Sequence, residues 1–338
     1  MRATAAAQLI DLHPAIADMR ELVYTGLNQH PKQLPAWFLY DAEGSKLFEQ
    51  ICQQPEYSLT RTEVGLLRAK ASSIAKSINQ IIAASTANKA AIERPVIIEF
   101  GAGNARKAGP LLAAIQPAAY VTLDISLEAL QATNQQLQQS FPTTPLLGVC
   151  CDHSQLDSLP PHPLLHKQPR IGFFPGSSLG NFSSDEAKAL LQRFRKLLKG
   201  GPLLIGLDHP KPKPQIEAAY NDAAGFSAAF AKNLLHRLNQ ELKGRFSAHQ
   251  FRYQARWEEE QSRVAMELIS TCDQDVEVAG HHWTFAAGEA LVTEYSMKYD
   301  PTAAQALFAA AGWWGVQRWH DPAEHLSLHL LKPLADSK

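Results

Sequence analysis

PVIIEFGAGNARKAGPLLAAIQPAAYVTLD, residues 95–124, is the stretch from which the fold can be predicted. It begins with the apolar run PVIIEF, turns through the glycine-rich residues 101–103 and ends with a second apolar run, YVTLD. Short apolar runs bounded by Gly, Pro and Asp are typical of buried parallel strands. Glycines let the backbone turn tightly and approach a ligand closely. The stretch therefore predicts a strand, a tight turn, a helix and a second strand.

The same alternation continues further along the chain. More strands are predicted at LLGVCC (146–151), RIGFFP (170–175) and PLLIGLD (202–208), with helices between them. The clearest helix follows Ser183, because Glu186 completes a capping box and the residues after it form one apolar stripe. Strands that alternate with helices predict a doubly wound α/β sheet.

The regions on either side have a different character. Residues 1–60 are expected to be helical and rich in loops, and Thr60 and Glu63 form a capping-box pattern before a long helix. HPKPKP (209–214) predicts a stiff connector, and a long helix is expected over about 215–242. The remaining expected elements are strands at 251–259, 263–271 and 290–299, a helix from 301, and a closing hairpin at 314–320 and 326–332.

These patterns predict two domains. Residues 61–208 and 298–338 are expected to form a Rossmann-like sheet domain that binds the cofactor, completed by the terminal helix and hairpin. Residues 1–60 and 209–297 are expected to form a second, α+β domain that binds the substrate. A chain of 338 residues with 45% hydrophobic residues has enough apolar material for both cores.

Composition narrows the class of partner. The net charge of -1 and the pI near 6.9 disfavour a nucleic-acid or anionic-membrane partner, so we expect a small-molecule partner. A monomer is also expected. The four cysteines form no C-x-x-C pair, and no metal site is expected. No apolar stretch has the length of a membrane span, and the N-terminal residues lack a secretory pattern. The expected location is the cytoplasm.

The glycine turn and the next strand end predict a nucleoside-containing cofactor. Asp124 ends the second strand 21 residues after Gly103, where a carboxylate can accept both ribose hydroxyls. NAD and S-adenosylmethionine (SAM) share that feature. Arg106 occupies the third glycine position of a dinucleotide fingerprint, which disfavours an NAD dehydrogenase. Glu99, two residues before Gly101, suits a methyltransferase.

Two further strand ends carry polar residues. Asp152 and His153 follow the third strand, where adenine is usually bound in such sheets. Asn181 lies in PGSSLGN (175–181), the loop after the fourth strand, and ligands of open α/β sheets bind beyond the carboxyl ends of strands. Its amide offers an acceptor and a donor for an amine and its carboxylate. The turn at 197–201 and the closing hairpin are also typical of class I methyltransferases.

The chain resembles the histidine Nα-methyltransferases of ergothioneine biosynthesis over nearly its whole length. The segments that carry this resemblance, several of them outside the generic methyltransferase core, are YDAEGSKLFEQICQQPEYSLTRTE (40–63), EFGAGNARK (99–107), YVTLDIS (120–126), GSSLGN (176–181), AAYNDAAGFSAAFAKNLL (218–235) and VTEYSMKY (292–299). The resemblance implies a class I methyltransferase that uses SAM to methylate the α-amino group of histidine up to the trimethylated betaine, hercynine.

The resemblance also implies a role for individual residues. Those implied to line the cofactor pocket are Tyr40, Gly101, Lys107, Asp124, Asp152 and His153. Those implied to bind the amino acid are Tyr57, Asn181 and Tyr220 at its amine and carboxylate, Glu294 and Ser296 at the imidazole, and Met266 at the border of the side-chain pocket. Tyr57 and Asn181 are the candidate catalytic residues. His153 stands where relatives often carry an aromatic residue.

The residue types agree with this assignment and leave two alternatives. Glu294 and Ser296 alternate onto one strand face, where a carboxylate and a hydroxyl can bind the two nitrogens of an imidazole. The first alternative is the same chemistry on another amino acid, such as a tryptophan derivative, although Glu294 suits imidazole better than indole. The second is a non-catalytic module that binds SAM and an amino acid; the intact Asp124, Asn181 and Glu294 argue against it.

Overall fold

A computed structural model describes residues 7–12, 16–85, 94–103, 106–323 and 325–335. The chain divides into two compact units. The first unit comprises Met1–His13, Leu59–His209 and Lys298–Lys338, and the second unit comprises Pro14–Ser58 and Pro210–Met297.

The elements alternate along the chain much as the apolar runs predict. The strands are β1 (Gln8–Asp11), β2 (Lys32–Gln33), β3 (Val96–Phe100), β4 (Ala119–Asp124), β5 (Leu146–Cys150), β6 (Arg170–Phe174), β7 (Leu203–Asp208), β8 (Phe251–Glu258), β9 (Arg263–Ser270), β10 (Gln274–Val278), β11 (His281–Phe285), β12 (Ala290–Met297), β13 (Trp313–His320) and β14 (Leu326–Pro333). The α-helices are α1 (Ile16–Leu27), α2 (Ala42–Ile51), α3 (Leu59–Ser85), α4 (Ala108–Ile115), α5 (Leu127–Ser140), α6 (Ser184–Leu197), α7 (Lys213–Ala219), α8 (Phe226–Leu242) and α9 (Pro301–Ala310).

The first unit contains an eight-stranded sheet in the order β1-β5-β4-β3-β6-β7-β14-β13. Neighbouring strands in the part β1-β5-β4-β3-β6-β7 of this order pair in parallel. The terminal hairpin then adds β14 antiparallel to β7. Every residue of β3, β5, β6 and β7 is buried, as expected for parallel strands between two layers of helices. The Rossmann-like α/β sheet with a reversed last strand, the class I methyltransferase fold, is confirmed.

Helix α6 begins as its sequence predicts. Ser183 Oγ accepts the Glu186 N–H, and the Glu186 carboxylate accepts the Ser183 N–H at 2.8 Å, so both halves of the capping box are present. The apolar stripe then packs against the sheet through Phe194, whose ring stacks on Phe100 at 3.8 Å between centroids. This packing fixes the helix beside the end of β3.

The second unit is built on a four-stranded sheet in the order β2-β12-β9-β8, with a separate β10-β11 hairpin. Strands β9 and β12 run antiparallel, and their register shifts between Val292 and Glu294. Ile216 of α7 packs with Val264 and Met266 of β9 in a buried cluster. Helices α2 and α8 pack against each other in the same unit.

Three sequence-based expectations are wrong. Residues 8–11 were expected in the second domain, but β1 pairs in parallel with β5 at the edge of the large sheet. A four-residue edge strand with little burial leaves no apolar pattern to detect. The single helix over 215–242 is two helices, interrupted where Gly225 adopts a φ of +80°. The hairpin of β10 and β11 was not predicted.

The third error concerns the start of α3. Thr60 and Glu63 were expected to form a capping box, but α3 already begins at Leu59 and the Glu63 carboxylate accepts the Gly176 N–H instead. The same carboxylate pairs with Lys107. A tertiary contact has therefore replaced the local one that the spacing predicted.

Two kinds of feature are absent from the described part of the chain. Among those residues no helix is both long enough and apolar enough to cross a membrane. Within the same ranges, no three His, Cys, Asp or Glu side chains are grouped as metal ligands would be.

Candidate active site

The glycine turn after β3 is fixed to the end of β4. Gly101 and Gly103 have φ angles of +69° and +52°, in the left-handed region that glycine adopts at least cost. The Gly103 N–H donates to Asp124 Oδ2 at 2.8 Å, and the Ser126 N–H donates to Oδ1 at 3.0 Å. A carboxylate has about four lone-pair positions, so Asp124 retains acceptor capacity beside the turn. Asn104 and Ala105 of this turn lie outside the described residues.

Next to the turn is the end of β5. Asp152 Oδ1 accepts hydrogen bonds from the backbone N–H and the hydroxyl of Ser154, at 2.8 and 2.6 Å. A Cβ added to Gly101 would lie 3.9 Å from His153 Cε1, so the ring borders the turn. His153 Nε2 is buried and has no hydrogen-bond partner among the described residues. The neighbouring rings are those of Phe100, Phe174 and Phe194.

Burial lowers the pKa of His153, because the charged imidazolium is poorly solvated there. The neutral ring has one nitrogen that donates and one that accepts. An unpartnered buried nitrogen costs free energy until a ligand or water satisfies it. The edge of an adenine carries such partners, so His153 fits a nucleoside-containing cofactor at this strand end.

Lys107 directly precedes α4, and its side chain forms an ion pair with a residue of α3. Its Nζ lies 2.9 Å from Glu63 Oε2, and Glu63 is fully buried. Both oxygens of Glu63 accept the Gly176 N–H at 2.9 Å. Glu63 therefore connects two segments. It binds the turn after β3 through Lys107 and the loop after β6 through Gly176.

That loop carries Asn181 at the end of a short 3-10 helix, Ser178–Asn181. The preceding Ser177 is buried with a φ of +56°, and its Oγ accepts the Asp208 N–H at 2.9 Å. Asn181 is half-buried, beyond the carboxyl end of β6, where ligands of such sheets bind. The first unit thus brings together Asp124, Asp152, His153 and the loop of Asn181 at one sheet edge.

In the second unit, two aromatic residues adjoin the polar face of β12. The Tyr220 hydroxyl lies 3.0 Å from Ser296 Oγ, and the Tyr57 ring meets the Tyr220 ring edge-on at 5.8 Å. The Tyr253 hydroxyl donates to the Tyr220 carbonyl oxygen at 2.7 Å, which fixes that backbone. Glu294 and Ser296 are both buried. The structure therefore places four of the proposed substrate residues in one unit.

Tyr40, which the sequence analysis grouped with the cofactor residues, is a neighbour of Glu294. The Tyr40 hydroxyl lies 3.4 Å from Glu294 Oε1. Burial first, and the charge of Glu294 second, raise the pKa of Tyr40 well above its ordinary value. Its ring packs edge-on against Phe48 and Phe230. A protonated phenol that donates to the carboxylate makes Tyr40 part of the same polar group.

Met266 stands opposite Glu294 in the β9–β12 register. It is buried in the cluster with Ile216 and Val264, and Tyr220 and Tyr253 pack on that cluster. The apolar wall that the sequence analysis expected beside the side-chain pocket is therefore next to the polar residues of β12.

Comparison with known proteins provides the family. The sequence profile of histidine-specific, SAM-dependent methyltransferases matches residues 19–333. The chain belongs to this family. It is 33% identical to a histidine N-alpha-methyltransferase of Mycolicibacterium smegmatis over 92% of this chain and 94% of that protein.

Two fungal relatives extend the comparison. Ergothioneine biosynthesis protein 1 of Neurospora crassa is 30% identical over 89% of this chain, which corresponds to 33% of that longer protein. A 4-dimethylallyltryptophan N-methyltransferase of Epichloe festucae var. lolii is 26% identical over 92% of this chain and 94% of the relative. This histidine-specific methyltransferase family member thus has relatives that are named for different amino acids.

Two residues of the described part were not anticipated as parts of the site. Glu63 was interpreted as a helix cap, and Tyr253 was only one aromatic residue in a strand. Neither has a sequence signal of its own, because each acts through a partner that is distant in the chain: Lys107 for Glu63 and the Tyr220 backbone for Tyr253. Spacing rules describe local partners, so such residues are found only in the fold.

Proposed function

We propose that this enzyme transfers methyl groups from SAM to the α-amino group of L-histidine, successively, up to hercynine. The observation that carries the substrate assignment is the pair Glu294 and Ser296 on one face of β12, buried beside Tyr220. A carboxylate that accepts one imidazole N–H and a hydroxyl at the other nitrogen match the two polar atoms of that ring. The name of the Mycolicibacterium relative supports the same substrate, and the Neurospora relative is named for ergothioneine biosynthesis.

The first unit supplies the groups proposed to hold SAM, which provides the methyl group. Asp124 is assigned to the ribose hydroxyls, with the glycine turn beside it. Asp152 and His153 are assigned to adenine. Gly103 leaves room near the turn, because a Cβ added there meets no atom within 4 Å. Lys107 offers a cation to the carboxylate of the methionine moiety.

The proposed substrate contacts divide by function. Tyr57, Asn181 and Tyr220 are assigned to the amine and carboxylate of the amino acid, and Glu294 and Ser296 to its ring. Met266 borders the ring pocket. We add Tyr40 to this set, because its hydroxyl orients the Glu294 carboxylate.

Methyl transfer to an amine is an in-line displacement in which the nitrogen lone pair attacks. The amine must therefore be neutral, and its proton passes to water before the transfer. Tyr57 and Asn181 are proposed to orient that lone pair, since alignment supplies most of the rate in such a reaction. No residue has to remove a proton in the transition state.

The direct test offers the twenty standard amino acids separately with methyl-labelled SAM and follows product masses over time. We expect histidine alone to gain one, two and then three methyl groups. A protein that binds S-adenosylhomocysteine but methylates no amino acid would support the non-catalytic module instead. A protein that methylates a different amino acid faster than histidine would contradict the substrate assignment.

A tryptophan derivative is the second candidate substrate, because the Epichloe relative is named for one. An indole N–H can donate to Glu294, but indole has no second ring nitrogen for Ser296. Adding tryptophan and 4-dimethylallyltryptophan to the same assay separates the two candidates.

A further inference from the structure

The carboxylate of Glu63 has two neighbours that a helix cap would not need. It contacts the Lys107 ammonium at 2.9 Å and accepts the Gly176 N–H with both oxygens. Glu63 is fully buried, whereas the Lys107 side chain keeps 18% of its exposure. The lysine is therefore the more exposed partner of this contact, and the carboxylate is its fully buried partner.

Two glycines make room for this arrangement. A Cβ on Gly206 of β7 would lie 1.9 Å from Glu63 Oε1, and a Cβ on Gly176 would lie 2.7 Å from Lys107 Nζ. Real Cβ atoms do not approach other atoms so closely. Both glycines therefore leave the space that the ion pair occupies; at Gly206 this is the only constraint of the two, whereas Gly176 also has a φ of +86° that favours glycine.

We propose that Glu63 is a positioning residue that holds the Lys107 ammonium toward the methyl donor and fixes the start of the loop that carries Asn181. This inference rests on the proposed function. Lysine has a long flexible stem, and ordering it on binding costs affinity unless the free protein has already ordered it. A buried carboxylate on the rigid helix α3 supplies that order in advance.

Loss of the carboxylate should weaken donor binding through Lys107. In Glu63→Gln we expect the dissociation constant of S-adenosylhomocysteine, measured by calorimetry, to rise about three- to tenfold, the range for ordering one long side chain. The KM for histidine should rise as well, because the Gly176 N–H loses a charged acceptor. Gly206→Ala displaces the carboxylate without removing its charge and should reproduce the donor effect.

A double-mutant cycle separates positioning from general damage. Lys107→Met should itself weaken S-adenosylhomocysteine binding, and adding Glu63→Gln to it should change that binding less than twofold while still raising the KM for histidine. Glu186→Gln is the matched control, since it removes a carboxylate that caps α6 in the same unit. It should lower the melting temperature and leave the dissociation constant of S-adenosylhomocysteine and the KM for histidine unchanged.

Several outcomes would overturn the inference. Glu63 would be merely structural if Glu63→Gln binds S-adenosylhomocysteine as tightly as the wild type does. The same would follow if Glu63→Gln weakens that binding equally in the wild-type and Lys107→Met backgrounds. If Glu63→Gln does not fold, Gly206→Ala and Glu63→Asp carry the same comparison. A wild-type protein that binds no S-adenosylhomocysteine would instead contradict the proposed function, so the two failures are distinguishable.

Discussion

At the scale of the single residue, Glu294 carries the question of substrate choice. Its carboxylate is buried and lies near the hydroxyl of Tyr40. A buried carboxylate is costly unless hydrogen-bond donors surround it. The N–H of an imidazole is such a donor, whereas an apolar ring would offer the carboxylate no hydrogen bond and would displace water from it. Glu294 is therefore expected both to attract histidine and to reject phenylalanine.

Glu294→Ala is expected to lower kcat/KM for histidine by about 10- to 150-fold, the factor that corresponds to one charge-assisted hydrogen bond. Phenylalanine should lose little, because its ring makes no such bond. Steady-state kinetics with both amino acids checks this, and Met266→Val should increase the relative preference for aromatic side chains. An equal loss for all amino acids would mean that Glu294 serves the fold and not substrate specificity.

A second buried acid, Glu99, is expected to make the stability of the protein depend on pH. It accepts the Tyr120 hydroxyl at 2.6 Å beneath the glycine turn. Burial raises the pKa of Glu99 to about 8, and the hydrogen bond from Tyr120 and the charge of Lys107 only partly oppose this rise. The folded protein therefore keeps a proton that the unfolded chain has lost at neutral pH. The stability from this group is complete below about pH 4.5 and is lost as the pH rises through 8.

Glu99→Gln should remove that pH dependence, since an amide resembles the protonated acid and does not titrate. We expect the unfolding free energy of the wild type to fall relative to the variant by about 3 kcal/mol between pH 5 and pH 8. Urea denaturation at a series of pH values measures the difference. Parallel curves for the two proteins would show that Glu99 has an ordinary pKa.

At the scale of the element, the turn between α7 and α8 contains Tyr220 and determines where its backbone lies. Asp222 is buried and accepts the Phe226 and Ser227 N–H groups at 2.9 and 2.7 Å, so it caps the first turn of α8. Burial alone would raise the pKa of Asp222, but its hydrogen bonds, chiefly from Ser227, lower it. Asp222 follows Tyr220 by two residues, so we expect this cap to limit the movement of the Tyr220 backbone.

Asp222→Ala should lower the unfolding free energy by about 1–2 kcal/mol, the usual cost of losing such a cap. The KM for histidine should rise more than the dissociation constant of S-adenosylhomocysteine, because only the turn with Tyr220 is loosened. Asp222→Asn keeps one acceptor oxygen and should retain most of both properties. Equal effects on both ligands would argue that the turn has no specific link to the amino acid.

The sequence predicts the elements of the parallel sheet well, because each buried strand is an apolar run between Gly, Pro or Asp. It predicts poorly where two physical effects compete. A single helix is expected over 215–242, yet α7 ends at Ala219 and α8 starts only at Phe226, after Gly225 and beside the Asp222 carboxylate. In the same way, Glu63 has the spacing of a cap but gains more from Lys107 and Gly176.

The candidate site shows the same division. Asp124 and Asn181 follow from their places at strand ends, whereas Glu294 and Ser296 are implied by the family resemblance, with which their alternation along β12 agrees. Hydroxyl partners do not follow from any spacing: the contact of Tyr40 with Glu294 joins residues that are 254 positions apart. Such pairs depend on the packing of whole elements, which one sequence does not specify.

At the scale of the whole molecule, the residues proposed to bind SAM lie in the first unit. Most of the residues proposed to bind histidine lie in the second unit. Hydrogen exchange can therefore examine the two ligands separately. S-adenosylhomocysteine should slow amide exchange around residues 99–103, 124–126 and 151–153. Histidine, added afterwards, should slow exchange in the second unit around Tyr220 and along β12. Protection by histidine confined to the first unit would contradict the substrate assignment.

The position of β14 has a consequence during synthesis. All six residues of β7 are buried, and β14 is the neighbour that covers one side of this strand. The ribosome makes β7 first and must then produce the whole of 209–325 before β14 exists. During that interval the nascent chain carries an apolar strand with open hydrogen-bonding groups, the kind of edge on which other chains aggregate. Slow translation or scarce chaperones should therefore lower the yield of folded enzyme more than its final stability suggests.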